Sequence, residues 1–146
     1  MRENVSLPQR IVVAIDGSEP SIKALNYASN LARLNKSNIF LINVVSLPPG
    51  ADPGTVQALR KELRGRSEDL LRKAGELLRT SNTTVETRSV ETDQSIVMAI
   101  VDFSTKQNAD LIILGTKGTS GYGKMMLGSV AAGVVSFANC PVLAVR

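Results

Sequence analysis

Apolar positions along this chain follow two alternating rhythms. Short, nearly unbroken β-branched runs read as strands, and positions spaced three and four apart read as helices. Arg10–Ile15 (RIVVAI) is the first predicted strand, ending at the turn pair Asp16-Gly17. Ser18 then reads as an N-cap, with Ile22, Leu25, Ser29 and Ala32 at helical spacing behind it. Asn38–Val45 (NIFLINVV) is apolar nearly throughout, as a strand covered on both faces should be. SLPPGADPG holds three of the six prolines and is a loop. From Val56 to about Arg79, positions Val56, Leu59, Leu63, Leu70, Ala74 and Leu77 keep helical spacing, although Gly65 and Gly75 weaken the pattern. The charged run inside it, RKELRGR, reads as a solvated face. Val85–Val90 is a weakly alternating strand. Thr92 or Asp93 is the expected cap of a helix carrying Ile96, Ile100 and Phe103. Leu111–Leu114 reads as a buried strand, Gly128–Phe137 as a helix and Val142–Val145 as a last strand.

Strands and helices therefore alternate throughout. That predicts an α/β fold of five mainly parallel strands with helices on both faces. In such sheets ligands bind beyond the carboxyl ends of the strands, where the strand order reverses. Three candidate positions fall at such ends: Asp16 after the first strand, Val44-Val45 ending the second, and a glycine-rich loop after the fourth.

Composition narrows the chemistry. A length of 146 residues with 43% apolar content suits one globular domain over residues 1–146. No apolar run approaches the ~18 residues of a membrane helix, so no membrane partner is expected. The polar start, MRENVSLPQR, lacks a secretory signal, which leads to an expected cytoplasmic location. The single cysteine, Cys140, allows no intrachain disulfide and reads as packing. The chain has no histidine, which removes imidazole bases, Ser-His pairs and His-ligated zinc together. A net charge of +4 raises the question of nucleic acid, but aromatics are only 3% and the basic residues are scattered. A solvated basic surface is the expectation, with no nucleic-acid partner.

The loop Gly115–Ser129, GTKGTSGYGKMMLGS, holds five of the eleven glycines and two lysines. Within it GTSGYGK fits GxxxxGK, but Met125 stands where a Walker A loop needs a magnesium-binding Ser or Thr. Three residues also separate Leu114 from the motif, so a P-loop is rejected. Phosphate still suits the segment. Gly115 and Gly118 lack Cβ atoms at a strand end, and Gly128-Ser129 opens a helix with free N–H groups. Not one Asp or Glu follows Leu111. The competing reading is a plain turn with Ser129 as N-cap. Asp16 before Gly17 likewise reads, on its own, as a turn residue bonding nearby backbone.

Gly115, Gly118, Gly128 and Ser129 spell G-x2-G-x9-G-[ST]. With VVAIDGSEPSIKAL, LINVV, DLIILGTKG, LGSVA and CPVLAVR, the chain resembles the universal stress protein family over nearly its whole length, in its ATP-binding branch. The resemblance implies a three-layer Rossmann-like sandwich with strand order 3-2-1-4-5 and four helices. It implies that Asp16 bonds the ribose, that backbone at Val44 meets the adenine edge and that Ala14 and Ile15 wall the base. Gly115, Gly118, Gly128 and Ser129 are implied to close on the phosphates. Leu114, Thr116, Lys117 and Val130 go with them, and Lys117 is within reach of a phosphate. No protein side chain is expected to anchor a metal, and magnesium would come with ATP. The resemblance also implies a homodimer joined through Val142, Leu143, Ala144 and Val145. The functional classes that follow are an ATP-binding stress-response regulator, a slow magnesium-dependent ATPase, an AMP or cyclic AMP binder, and a nucleotide-free interaction module. Unlike the family's usual last helix, VAAGVVSFAN carries no charge on its outer face.

Overall fold

The computed structural model describes residues 6–79, 83–117 and 126–146. Its elements follow in the order β1 (Arg10–Ala14), α1 (Glu19–Asn35), β2 (Asn38–Ser46), α2 (Pro53–Leu78), β3 (Val85–Thr92), α3 (Ile96–Lys106), β4 (Leu111–Gly115), α4 (Ser129–Phe137) and β5 (Val142–Val145). The five strands form one sheet in the order β3-β2-β1-β4-β5, and every neighbouring pair is parallel. Together with four helices this is the sandwich expected.

Alternate residues of the central strands serve two cores. Ile11, Val13 and Ile15 pack with Ala24, Leu25, Ala28 and Ala32 of α1 and with Leu71, Ala74 and Leu78 of α2. Val12, Ile42, Ile112 and Leu114 pack with Ile100 of α3 and Ala131 and Val134 of α4. Both faces of β1 and β4 are thus covered, which is why these strands read as continuous apolar runs. The chain leaves β1 toward one face and β4 toward the other. A crevice opens between them, beyond their carboxyl ends.

The helix faces differ in detail from the sequence pattern. α1 buries Ser21, Ala24, Leu25, Ala28 and Ala32, and Ile22 lies exposed. Small side chains let the helix backbone approach the sheet, so the bulky residue is the one displaced to solvent. α2 starts at Pro53 instead of Val56. Asp52 caps it, accepting from the Gly54 N–H (2.9 Å) and the Thr55 N–H (3.2 Å). Proline costs nothing at the first helical position, where its missing N–H would have no partner. The helix runs through Gly65 and Gly75, and it buries Leu71 and Leu78 while Leu77 is exposed. α3 is capped by Ser95, whose Oγ accepts from the Met98 N–H at 3.2 Å. Thr92 is retained by β3, and its hydroxyl accepts from the Gln94 N–H at 3.1 Å. The outer face of α4 exposes Val135 and Phe137. Cys140 is half-buried, and burial followed by the nearby Asp110 carboxylate pushes its thiol up, which suits a packing role. Among the described residues no helix is long and apolar enough to cross a membrane.

Candidate functional site

A cleft of about 340 Å³ occupies the crevice between the carboxyl ends of β1 and β4. Its first wall comes from the β1–α1 turn. Gly17 adopts φ +84°, a left-handed conformation that glycine reaches without strain. This turn brings Asp16 back over its own chain, where one carboxylate oxygen accepts from the Ser18 N–H at 2.9 Å. The turn reading of Asp16 is therefore realised, and the exposed carboxylate also lines the cleft. Ser18 caps α1 by accepting from the Ser21 N–H (3.4 Å) and donates to the Lys117 carbonyl (3.4 Å). Two loops from different strands are tied together by this one side chain.

The opposite wall comes from the end of β4 and the start of α4. The Thr116 N–H bonds the Val145 carbonyl (2.8 Å), and the Gly128 N–H bonds the Thr116 carbonyl (2.6 Å). These bonds pin the start of α4 beside the strand end. Gly128 is the N-cap of α4 and supplies no side-chain hydrogen bond to the first turn. Among the described residues no side chain is seen to cap the N–H groups that open α4, which lie at the positive end of the helix dipole. Gly128, Ser129, Val130 and Ala131, the residues of that turn, all line the cleft.

Ala14, Ile15, Leu114 and Val44, with Ile96 and Ile100 of α3, give the cleft its apolar part. Gly115, Thr116 and Lys117 complete the side facing α1. Every residue that the resemblance assigns to the site is thus gathered in one cleft except Gly118, which lies outside the described residues, while Val45 lines an adjoining cleft toward α2. Glycine at 115 has a reason different from ligand approach. A Cβ there would lie 2.8 Å from the Pro20 carbonyl carbon and 2.9 Å from the Ser21 nitrogen. The missing side chain lets α1 close onto β4, and the cleft wall exists because of that contact.

Asn43 is the polar strand residue of the cleft that sequence reasoning missed, alongside Ser21 and Ile96 from the helices. Its Nδ2 donates to the Ile15 carbonyl at 2.7 Å, which fixes the amide across the β1–β2 boundary. The side chain lines this cleft and an adjoining one of about 250 Å³, which runs toward α2 and shares Asp16 and Val44. The signal was present: Asn43 is the one amide inside an apolar run, IFLINVV. Such a residue needs a partner, and this one ties the floor of the cleft together.

The cleft thus offers an apolar region, a carboxylate acceptor, and the uncapped N–H groups of a helix start. Among the described residues no group of three His, Cys, Asp or Glu side chains gathers to hold a metal. The universal stress protein family profile matches residues 8–146. This chain belongs to the universal stress protein family. A universal stress protein of Methanocaldococcus jannaschii is 31% identical, over 100% of this chain and 86% of the relative. The solved universal stress protein UspA from Lactobacillus plantarum superimposes with a TM-score of 0.83 at 25% identity, covering 94% of this chain and 97% of its own. A universal stress protein solved in complex with cAMP matches with a TM-score of 0.73 at 26% identity, over 97% of this chain and 99% of its own.

Proposed function

We propose that this universal stress protein binds an adenine nucleotide, ATP in the first instance, and acts as a homodimeric regulator in a stress response. The observation that carries the reading is the polarity of the cleft. Along the strand order β2-β1-β4 the lining runs from Val44, through Ala14, Ile15 and Asp16, to Gly115 and the uncapped first turn of α4. A base, a ribose and a phosphate chain present the complementary groups in that order. The helix N-terminus favours phosphate, and no Asp or Glu after Leu111 opposes it. The cAMP complex of a relative supports adenine as the base. The phosphates would bring magnesium with them, since the described residues supply no acidic cluster of their own.

Mass spectrometry of ligand released from denatured protein, with calorimetry against ATP, AMP and cyclic AMP, tests this reading. ATP is expected in the released pool, with ATP the tightest binder. Recovery of AMP or cyclic AMP alone would change the ligand. Absence of both released nucleotide and binding heat would remove the nucleotide function.

The dimer reading rests on β5. The Ile112 N–H bonds the Pro141 carbonyl (3.0 Å), and the Thr116 N–H bonds the Val145 carbonyl (2.8 Å). With a period of two, Pro141, Leu143 and Val145 direct their backbone to β4, and Val142 and Ala144 direct theirs outward. β5 is apolar, half-buried and at the sheet edge, beside the exposed Val135 and Phe137 of α4. An antiparallel pairing of two β5 strands about a two-fold axis would satisfy both copies. Light scattering is expected to give twice the 15.6 kDa chain mass. Ala144→Pro removes an outward donor while leaving the β4 ladder intact, and it should shift the protein toward monomer. A wild type that is monomeric at micromolar concentration would eliminate the dimer.

A further inference from the structure

β3 forms the other edge of the sheet, and its exposed side is built differently. The Ile39 N–H bonds the Thr84 carbonyl (2.8 Å), and the Leu47 N–H bonds the Thr92 carbonyl (2.8 Å). The period of two then turns Glu86, Arg88 and Val90 toward β2 through their backbone. Val85, Thr87, Ser89 and Glu91 point their N–H and C=O groups outward. No strand among the described residues covers that side. The side chains of these outward residues face α2. The Thr87 methyl lies 3.5 Å from where a Cβ on Gly75 would sit, and Glu91 pairs with Arg60 at 3.1 Å.

α2 overhangs this edge and leaves a groove of about 450 Å³ against β3. Arg64, Arg72, Arg79 and Arg88 line it, against Glu68 and Glu76. Both glutamates are engaged within the helix, Glu68 with Arg64 at 3.2 Å and Glu76 with Arg72 at 3.4 Å. Arg79 and Arg88 have no acidic partner among the described residues. The hydroxyl of Ser89, a groove residue, is buried and has no hydrogen-bond partner among the described residues. An unpaired backbone edge, excess positive charge and an unused hydroxyl therefore coincide along one groove.

We propose that this groove docks an extended acidic segment of a partner protein, which adds to β3 as a further strand. The outward N–H and C=O groups of Thr87 and Ser89 supply the ladder, and the arginines select acidic side chains. Side chains of an added strand alternate between the two sheet faces. Carboxylates on one face meet Arg79 of α2, since Arg64 is paired with Glu68 and Arg72 with Asp69 (2.7 Å) and Glu76, and those on the other meet Arg88. A second copy of this chain is the wrong occupant, because it would bring the same arginines into the groove. Nucleic acid fits poorly with an aromatic content of 3%, since few rings are available to stack on bases. The site is separate from the nucleotide cleft, and the proposal does not depend on that reading.

Fluorescence anisotropy with a labelled peptide of repeating Glu-Glu-Val-Val, which places carboxylates on both faces of an added strand, tests the idea, with amide exchange at Thr87 and Ser89 as a second readout. The acidic peptide should bind and slow exchange at both amides. The double variant Arg79→Glu with Arg88→Glu should weaken binding by at least about tenfold while keeping the wild-type melting temperature, because both side chains are exposed. Replacing both valines of each repeat with proline should weaken binding in every register, since donors are then lost from both edges of the added strand. Equal binding of a lysine-valine peptide, of the proline peptide or by the charge-reversed variant would each overturn the proposal. So would tighter binding of a single-stranded oligonucleotide at the same arginines.

Discussion

Asp16→Asn is expected to weaken ATP binding by about thirtyfold, the equivalent of about 2 kcal/mol for losing a hydrogen bond to a charged group. The fold should be untouched. Asp16 is exposed, and its turn bond to the Ser18 N–H needs only an acceptor oxygen, which asparagine also has. The sign of the effect separates the two roles of Asp16. If the carboxylate holds the ribose hydroxyls, its loss weakens binding. If it serves the turn alone, it only repels a polyanion, and neutralising it would tighten ATP. Inorganic triphosphate provides the control. It lacks a ribose, so its affinity should be unchanged or slightly stronger in the variant. Calorimetry showing tighter ATP binding by the asparagine protein would reject the ribose role and leave Asp16 as a turn residue.

The strands were legible because burial on both faces leaves little choice of residue. RIVVA, LIILG and VLAV are almost wholly apolar, and each became a strand at or within one residue of the expected limits. The helix faces were harder to read for a physical reason. Hydropathy marks bulky residues as buried, but α1 approaches the sheet through Ser21, Ala24, Ala28 and Ala32. Close approach selects small side chains, and it left Ile22, Tyr27 and Leu34 in solvent. The cap of α3 was misplaced because Thr92, Asp93 and Ser95 all suit an N-cap, and only the sheet pairing that holds Thr92 in β3 decides among them. The cleft was legible where motif residues come from strand ends. Asn43, Ser21 and Ile96 were not, because they enter it from a strand interior and from two helices. Only the three-dimensional crossing of α1, α3 and β2 places them there.

That crossing makes Gly115 the most sensitive backbone position of the site, and Gly115→Ala is expected to destabilise the protein by about 2–3 kcal/mol. The added methyl would meet the Pro20 carbonyl carbon at 2.8 Å and the Ser21 nitrogen at 2.9 Å. Both are backbone atoms at the start of α1, so no rotamer change relieves the contact. Relief requires α1 to move off β4, and Ser21 moves with it as part of the cleft wall. Stability and nucleotide affinity should therefore fall together, with the melting temperature lower by about 5–10 °C. Gly65→Ala is the matched control of opposite sign. Nothing lies within 4 Å of a Cβ at Gly65, and the residue sits inside α2. Replacing glycine there should stabilise the helix by about 0.5–1 kcal/mol and leave binding unchanged. Calorimetric unfolding of both variants checks the pair. A Gly115→Ala protein that melts with the wild type would show that α1 does not press on β4, and the wall of the cleft as described would be wrong.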